Sequence, residues 1–324
     1  MRRRRGSRAV IVLSLLAIAL AAVACTSSSS KNASNASNAS NASAGVPSVT
    51  SIPILTSLAG KALPIEAYLV QYKDQAALIQ AYVALEGQCM ARFGYNYAPP
   101  TKPPSAGTGT AANLTRRYGV SDAGQASTSG YHAPTTAGSG KLVPPPISDN
   151  EELVLDGGQG PMSAQDLHSN PSGTRSVGGL KIPDHGCSGE AYRKLYANGG
   201  TPGDADLANQ IDNDSYSKSR SDPRVLAVFT LWSKCMAAKG YSYSSPLDAM
   251  NDPKFGGDEP TAAEIATAEA DLACKQSTNV LGVWFTVESA DQNVAIQKNI
   301  QALTKVQQGI KAEIEESNKV LSAH

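Results

Sequence analysis

Apolar side chains recur three and four positions apart through much of this chain, and each such stretch ends in helix signals. From Pro64, Ile65, Leu69, Tyr72, Ala76, Ile79, Val83 and Met90 keep the spacing, with Pro64 suited to the first turn and Gly94 to a left-handed cap. Residues 188–197 predict a helix stopped by Asn198-Gly199-Gly200, and 204–218 a weaker amphipathic one. The strongest pattern follows: Asp222 as cap, Pro223 in the first turn, Val225, Val228, Phe229, Trp232 and Met236 on one face, Gly240 at the end. Thr261-x-x-Glu264 predicts a capping box ahead of Ile265, Ala268 and Leu272. From Val283 to Leu321 there is no proline and one glycine, Gly309. Ile296, Ile300, Leu303, Ile310, Ile314 and Leu321 resemble a heptad seam, with Gln307 and Ser317 interrupting and Val306 off register. That predicts a long helix packed on a partner surface more than a strict coiled coil. The fold class expected is all-α.

Between these helices the pattern fails. Residues 101–180 turn to Gly, Ser, Thr and Pro without a sustained period, which predicts a long disordered insertion. One or two short helices start at Ser148-x-x-Glu151, ahead of Leu153-Val154-Leu155, and at Ser163-x-x-Asp166. Residues 26–51 carry Asn-Ala-Ser four times in tandem, from Asn32 to Ser43, in serine-rich flanks; small polar residues bury too little to order themselves. Each triplet matches a glycosylation sequon formally, but a flexible spacer is the simpler expectation. The organisation expected is therefore 1–24 leader, 25–62 flexible tether, 63–284 helical domain with its insertion at about 101–180, and 285–324 C-terminal helix.

The leader sets the compartment. Arg2, Arg3, Arg4, Arg5 and Arg8 precede Ala9–Ala24, apolar except for Ser14. Those sixteen residues would span about 24 Å as a helix, short of the ~30 Å hydrocarbon core, as in a secretory signal. Ala22-Val23-Ala24-Cys25 resembles the lipobox of bacterial lipoproteins, in which the cysteine is diacylated and becomes the mature N-terminus; Ala22 departs from the usual Leu. Cys25 is thus the lipidation candidate and the membrane the first partner, with the protein on the outer face of a bacterial cytoplasmic membrane. The alternatives are an ordinary signal peptide with a chance cysteine, or an uncleaved anchor. Removing the five leader arginines leaves 23 basic against 28 acidic residues, so no basic surface argues for nucleic acid.

The other four cysteines fall on an internal repeat. Shifted by 146 residues, the stretch from Leu85 to Pro100 matches that from Leu231 to Pro246 at eight of sixteen positions. Each copy has Cys-Met-Ala, a glycine five residues after the cysteine, and two alternating tyrosines: Tyr95 and Tyr97, then Tyr241 and Tyr243. If the copies are equivalent, each cysteine pairs into its own downstream helix, giving Cys89–Cys187 and Cys235–Cys274 among three connectivities. A zinc site is the rival, disfavoured by the lack of any C-x-x-C and by an oxidising compartment.

Cys-Met-Ala-x-x-Gly-Tyr, Asp222-Pro-Arg-Val, Trp232 and Gly282-Val-Trp-Phe285 with Glu288 together resemble a group of uncharacterised lipoproteins from high-GC Gram-positive bacteria. The likeness runs from about residue 64 onward, outside the insertion; it implies envelope placement and carries no activity or catalytic residue.

No catalytic, metal or cofactor site is predicted. Ser215-Tyr-Ser-Lys218 and Ser148-Asp149-Asn150 match parts of the serine β-lactamase signature, but in reversed order and without K-T-G. His132, His168, His185 and His324 lack ligand spacing, and Asp212 and Asp214 lack the rest of a calcium loop. Two functions lead, with an enzyme lacking any recognisable motif as a further alternative. One is a binding module of the cell envelope, using Tyr95, Tyr97, Tyr241, Tyr243, Trp232 or Trp284 against a cell-wall glycan or an envelope protein, although packing of the disulfide-linked helices is the favoured role for any given ring. The other is an accessory subunit of an envelope transporter, offering the C-terminal stripe to a partner helix unless that stripe packs on its own core.

Overall fold

A computed structural model describes residues 47–99, 111–133, 146–159, 166, 172–196 and 202–323. Among them the fold is all-α: α1 (Tyr72–Arg92), α2 (Leu114–Arg117), α3 (Ala123–Ser129), α4 (Asp149–Asp156), α5 (Gly186–Tyr196), α6 (Pro202–Arg220), α7 (Pro223–Ala238), α8 (Pro246–Met250), α9 (Ala262–Thr278), α10 (Val280–Lys298) and α11 (Ile300–Ser322). Local chemistry sets the ends. Asp222 accepts from the Arg224 amide at 2.8 Å and Pro223 opens α7. Ser148 and Glu151 close a reciprocal capping box on α4, and Gly157 ends that helix at φ +70°.

The repeat is structural. Gly94 and Gly240 follow the caps of α1 and α7 at φ +82° and +88°. The next amide, of Tyr95 or Tyr241, reaches back to the Met90 or Met236 carbonyl at 3.1 and 3.0 Å, a Schellman ending in both copies. Both methionines are fully buried. Ser233 Oγ donates to the Tyr243 carbonyl at 2.6 Å, whereas at the equivalent position Gly87 leaves the Tyr97 carbonyl 2.9 Å from where a Cβ would stand. The cystines are Cys89–Cys187, joining α1 to α5, and Cys235–Cys274, joining α7 to α9. All four thiols are thereby consumed, which removes the zinc alternative.

Each cystine pair gains a third helix from the C-terminal stretch. α1, α5 and α11 pack on one another, as do α7, α9 and α10, while α6 touches both α10 and α11. The stretch expected as one long helix is two, because the chain breaks at Asn299 (φ −119°, ψ 18°), whose side-chain amide donates to the Ala295 carbonyl at 2.9 Å. In α11 the inward face is shifted from the expected seam: Leu303, Val306, Gly309, Glu313 and Ser317 are buried, Ile300 is exposed and Ile310 and Ile314 half-buried, and Val320 and Leu321 pack with Leu85, Ala191 and Leu195 of α1 and α5.

Three other expectations change. Residues 47–62, assigned to the tether, are anchored to the core at a few points: Leu55 and Leu58 are buried, and Asn279 between α9 and α10 holds the Leu55 amide and the Pro53 carbonyl, each at 3.0 Å. Gly282 permits that crossing, since a Cβ there would meet the Pro53 oxygen at 2.1 Å. Pro64–Tyr68 is a 3-10 turn separated from α1, held by the Glu66 carboxylate on the Leu63 amide and by Gln292 on the Ile65 amide. Within the expected insertion, α2, α3, α4 and a hairpin of β1 (Ser172–Val177) and β2 (Leu180–Pro183) are ordered. Gly178 and Gly179, both at positive φ, supply its two-residue turn. Ser163 and the rest of that region, like the leader and the Asn-Ala-Ser repeat, lie outside the described residues.

The cystines span 98 and 39 residues, for which loop entropy assigns about 4.7 and about 3.9 kcal/mol. Replacing Cys89 and Cys187 by serine should lower the urea midpoint more than replacing Cys235 and Cys274, measured by circular dichroism; the reverse order would show that the shorter loop, between α7 and α9, controls stability.

Candidate functional site

The core is built around a carboxylate. Glu288, on α10, has no exposed surface. Arg117 Nε donates to its Oε1 at 2.7 Å, and Tyr118 Oη to its Oε2 at 2.7 Å. The same guanidinium reaches Asp212 of α6 through both carboxylate oxygens, at 3.0 and 3.1 Å, and through its carbonyl at 2.7 Å. Burial pushes the Glu288 carboxyl up, and Arg117 pulls it back. Gln292 bridges onward, donating to Ser215 Oγ at 3.0 Å. Trp284 is walled in: Tyr118 stacks on it at 4.6 Å between ring centres, Phe229 meets it edge-on at 5.0 Å, and its Nε1 donates to Ser219 at 2.9 Å.

A second buried pair lies nearby. Lys275 and Asp271, one turn apart on α9, are both wholly buried, with Nζ 2.8 Å from Oδ2. Trp232 Nε1 donates to Asp271 Oδ1 at 2.9 Å, and Lys275 donates to the Val120 carbonyl at 2.9 Å. Burial raises the Asp271 carboxyl and lowers the Lys275 ammonium from their ordinary values. Gly119, at φ +80°, leaves room for the ammonium, which a Cβ would meet at 2.7 Å.

Glu264 was expected to complete a capping box, and only half forms. Thr261 Oγ1 accepts from the Glu264 amide at 3.2 Å, but the carboxylate turns inward and accepts from the Tyr131 amide (2.8 Å) and His132 Nδ1 (2.7 Å). His132 Nε2 faces the Gly257 carbonyl at 2.8 Å. With an acceptor at each ring nitrogen, the imidazolium is the form that satisfies both.

A cleft of about 310 Å³ runs between α6 and α10. Its lining combines Asp214, Ser215, Lys218, Asp291 and Lys298 with Ile211, Val294 and Ala295. At the Asn299 break it meets a hollow of about 720 Å³ that shares Leu207, Lys298 and Asn299. Asp291 is 6% exposed; its Oδ1 pairs with Lys218 and its Oδ2 has no hydrogen-bond partner.

The residues singled out in the sequence divide accordingly. Trp232 and Trp284 are completely buried, so neither offers a ring to a ligand. Tyr95 and Tyr97 are half-buried against the Cys89–Cys187 cluster, and Tyr241 and Tyr243 against the main core. The Tyr243 hydroxyl is engaged by Asp252 and Lys254 at 2.7 and 2.6 Å. Ser215 and Lys218 serve the Glu288 network and the Asp291 ion pair, and Ser148 caps α4. Cys25 lies outside the described residues. Arg117, Asp271, Lys275 and the cleft had no motif to announce them, and Glu264 was announced only as a cap; Leu114, Arg117, Tyr118 and Val120, an apolar and arginine island amid Gly, Ser and Thr, were the signal for the first. Among the described residues no cluster of histidine, cysteine and carboxylate side chains has metal-site geometry, and no helix is long and apolar enough to cross a membrane. Comparison with protein-family models, curated proteins and solved structures finds no match to this chain.

Lys275→Met leaves Asp271 buried without its cation and should cost about 3–5 kcal/mol in urea unfolding, with Asp271→Leu in the same chain recovering part of the loss. A second outcome concerns pH. The Gly257 carbonyl and then Glu264 raise the His132 pKa above its ordinary 6.5. Its contribution is therefore complete below the unfolded pKa and fades as pH rises through the folded one. Wild-type stability should decline as pH rises above about 6.5 more than that of His132→Gln; parallel curves would remove the imidazolium assignment.

Proposed function

We propose that this protein is a lipid-tethered binding module of the bacterial cell envelope, held outside the cytoplasmic membrane by a diacylated Cys25 and akin to the high-GC Gram-positive lipoproteins it resembles. The observation that carries the proposal is Ala22-Val23-Ala24-Cys25 behind a short apolar run, followed by a domain whose four remaining cysteines form two cystines. The cleft between α6 and α10 provides the concave, mixed-polarity surface a binding module needs. Glycan stacking on the duplicated tyrosines has less support, because all four rings are partly used in packing. The transporter-subunit alternative rests on the α11 stripe, of which Leu303 is buried and Leu321 packs with α1 and α5 of the same chain, while Ile300 is exposed and Ile310 and Ile314 are half-buried.

Intact mass spectrometry of the membrane fraction should find a chain beginning at Cys25, heavier by a diacylglyceryl group and lighter by four hydrogens for the cystines. Cys25→Ser should abolish the lipid mass and processing. A native chain that keeps residues 1–24, carries no lipid and has its thiols reduced would overturn the proposal.

A further inference from the structure

The two sets of three helices treat their buried acids differently. Around α7, α9 and α10 the buried carboxylates have cations: Arg117 for Glu288, Lys275 for Asp271, and the His132 imidazolium for Glu264. The set of α1, α5 and α11 buries two carboxylates and gives a cation to neither. Glu86 of α1, 5% exposed, is met by the Ser188 hydroxyl at 2.6 Å and by Tyr82. Glu313 of α11, 9% exposed, is met by the Tyr196 hydroxyl of α5.

The cations of this region are engaged elsewhere. Arg92 and Lys194 pair with Glu190, Arg193 donates to the Asp184 carbonyl, and on α11 itself Lys311 and Lys319 pair with Glu315 and Glu316. One turn either side of Glu313 stand Gly309, Ile310, Glu316 and Ser317, none of them a cation. From α5 it faces Tyr196 and, 4.5 Å behind that ring, Tyr192; burial pushes both hydroxyls up and keeps them neutral, and Asp206 of α6 adds a negative charge beside Tyr192. α1 brings Tyr72, Lys73, Asp74, Tyr82 and Glu86, and Lys73 is exposed. Burial holds the Glu313 carboxyl above its ordinary value, with the Tyr196 bond pulling it back.

α11 is also the member of its set that can leave. Cys89–Cys187 ties α1 to α5, and no covalent bond ties α11 to either. Between Val306 and Val320 its buried positions are Gly309, Glu313 and Ser317, and Ser317 Oγ has no partner among the described residues. An unpaired carboxylate resists burial as the anion, so ionising Glu313 acts directly on the helix–helix contact.

We propose that α11 is an acid-closed latch on α1 and α5, seated while Glu313 is protonated and loosened from about Gly309 onward when Glu313 ionises, while α7, α9 and α10 stay packed. Docking strength from such a group is complete below its undocked value of 4.5 and is lost as pH rises through the docked one. Each unit between the two values is about tenfold in the docking equilibrium. The latch goes beyond the reading as a binding module and holds with or without the tether.

Hydrogen exchange of the full chain, read by mass spectrometry at about pH 4.5 and about pH 7.5 and corrected for intrinsic rates, tests it. Protection within residues 309–322 should fall at least about tenfold on raising the pH, against less than about threefold in α10. Glu313→Gln keeps an acceptor for Tyr196 but cannot ionise, and should hold its protection across that range. Tyr196→Phe removes the donor that favours the ionised form and should enlarge the fall. Thermal melts at about pH 4.5 matching wild type would show that the variants fold, and the wild-type comparison of α11 with α10 needs no variant. An equal fall in α10, a wild-type α11 indifferent to pH, a Glu313→Gln protein that loosens as wild type does, or a smaller fall in Tyr196→Phe would overturn the proposal.

Discussion

A carboxylate without any exposed surface must be given a cation and donors inside the protein, and Glu288 imposes that requirement on the whole core. Its cation comes from Arg117, at the end of the one-turn helix α2 and over a hundred and seventy residues earlier in the chain. Four consecutive residues answer two charges at once. Arg117 and Tyr118 satisfy Glu288, Gly119 makes room for the Lys275 ammonium, and the Val120 carbonyl accepts from it. The loss of one partner from a buried ion pair typically costs about 3–5 kcal/mol, against a total stability of about 5–15 kcal/mol for a domain. A stretch of Gly, Ser and Thr thus contains the plug on which the core's electrostatics depend.

Around that plug the architecture is two versions of one idea. A helix carries its cysteine one turn before a Schellman ending, a downstream helix takes the other sulfur, and a third helix covers the pair. The copies have diverged where they meet different neighbours. Ser233 donates to a backbone carbonyl that in the other copy passes a bare glycine, and Trp232, which holds Asp271, corresponds to Glu86, which accepts from Ser188 at 2.6 Å. Backbone punctuation and sulfur pairing were kept while the buried polar contacts changed partners.

The parts legible in the sequence are those encoded over short distances. The span of α7 follows from Asp222, Pro223 and Gly240, and the repeat with its cystine pairing follows from residues that carry the same signals twice. What the pattern missed is encoded over long distances or by single residues. The break at Asn299 leaves the apolar period intact, so α10 and α11 look continuous. The Glu264 side chain is a good capping-box partner by position, yet Tyr131 and His132 compete for it from more than a hundred and thirty residues away. The 111–120 stretch has too few apolar positions to show a period, and its burial is decided by charges elsewhere. The cleft is formed by the mutual placement of α6 and α10, which no local motif records.

The assignment of third helices has a consequence for how the chain comes to be folded. α1 leaves the ribosome early and α5 about a hundred residues later, yet the helix that covers them, α11, is the last to be made. The first unit remains with an uncovered apolar seam until synthesis is nearly complete, whereas α7, α9 and α10 follow one another closely and can assemble as they appear. The N-terminal copy is thus the later of the two to mature, and its cystine is the one left waiting for a protected setting.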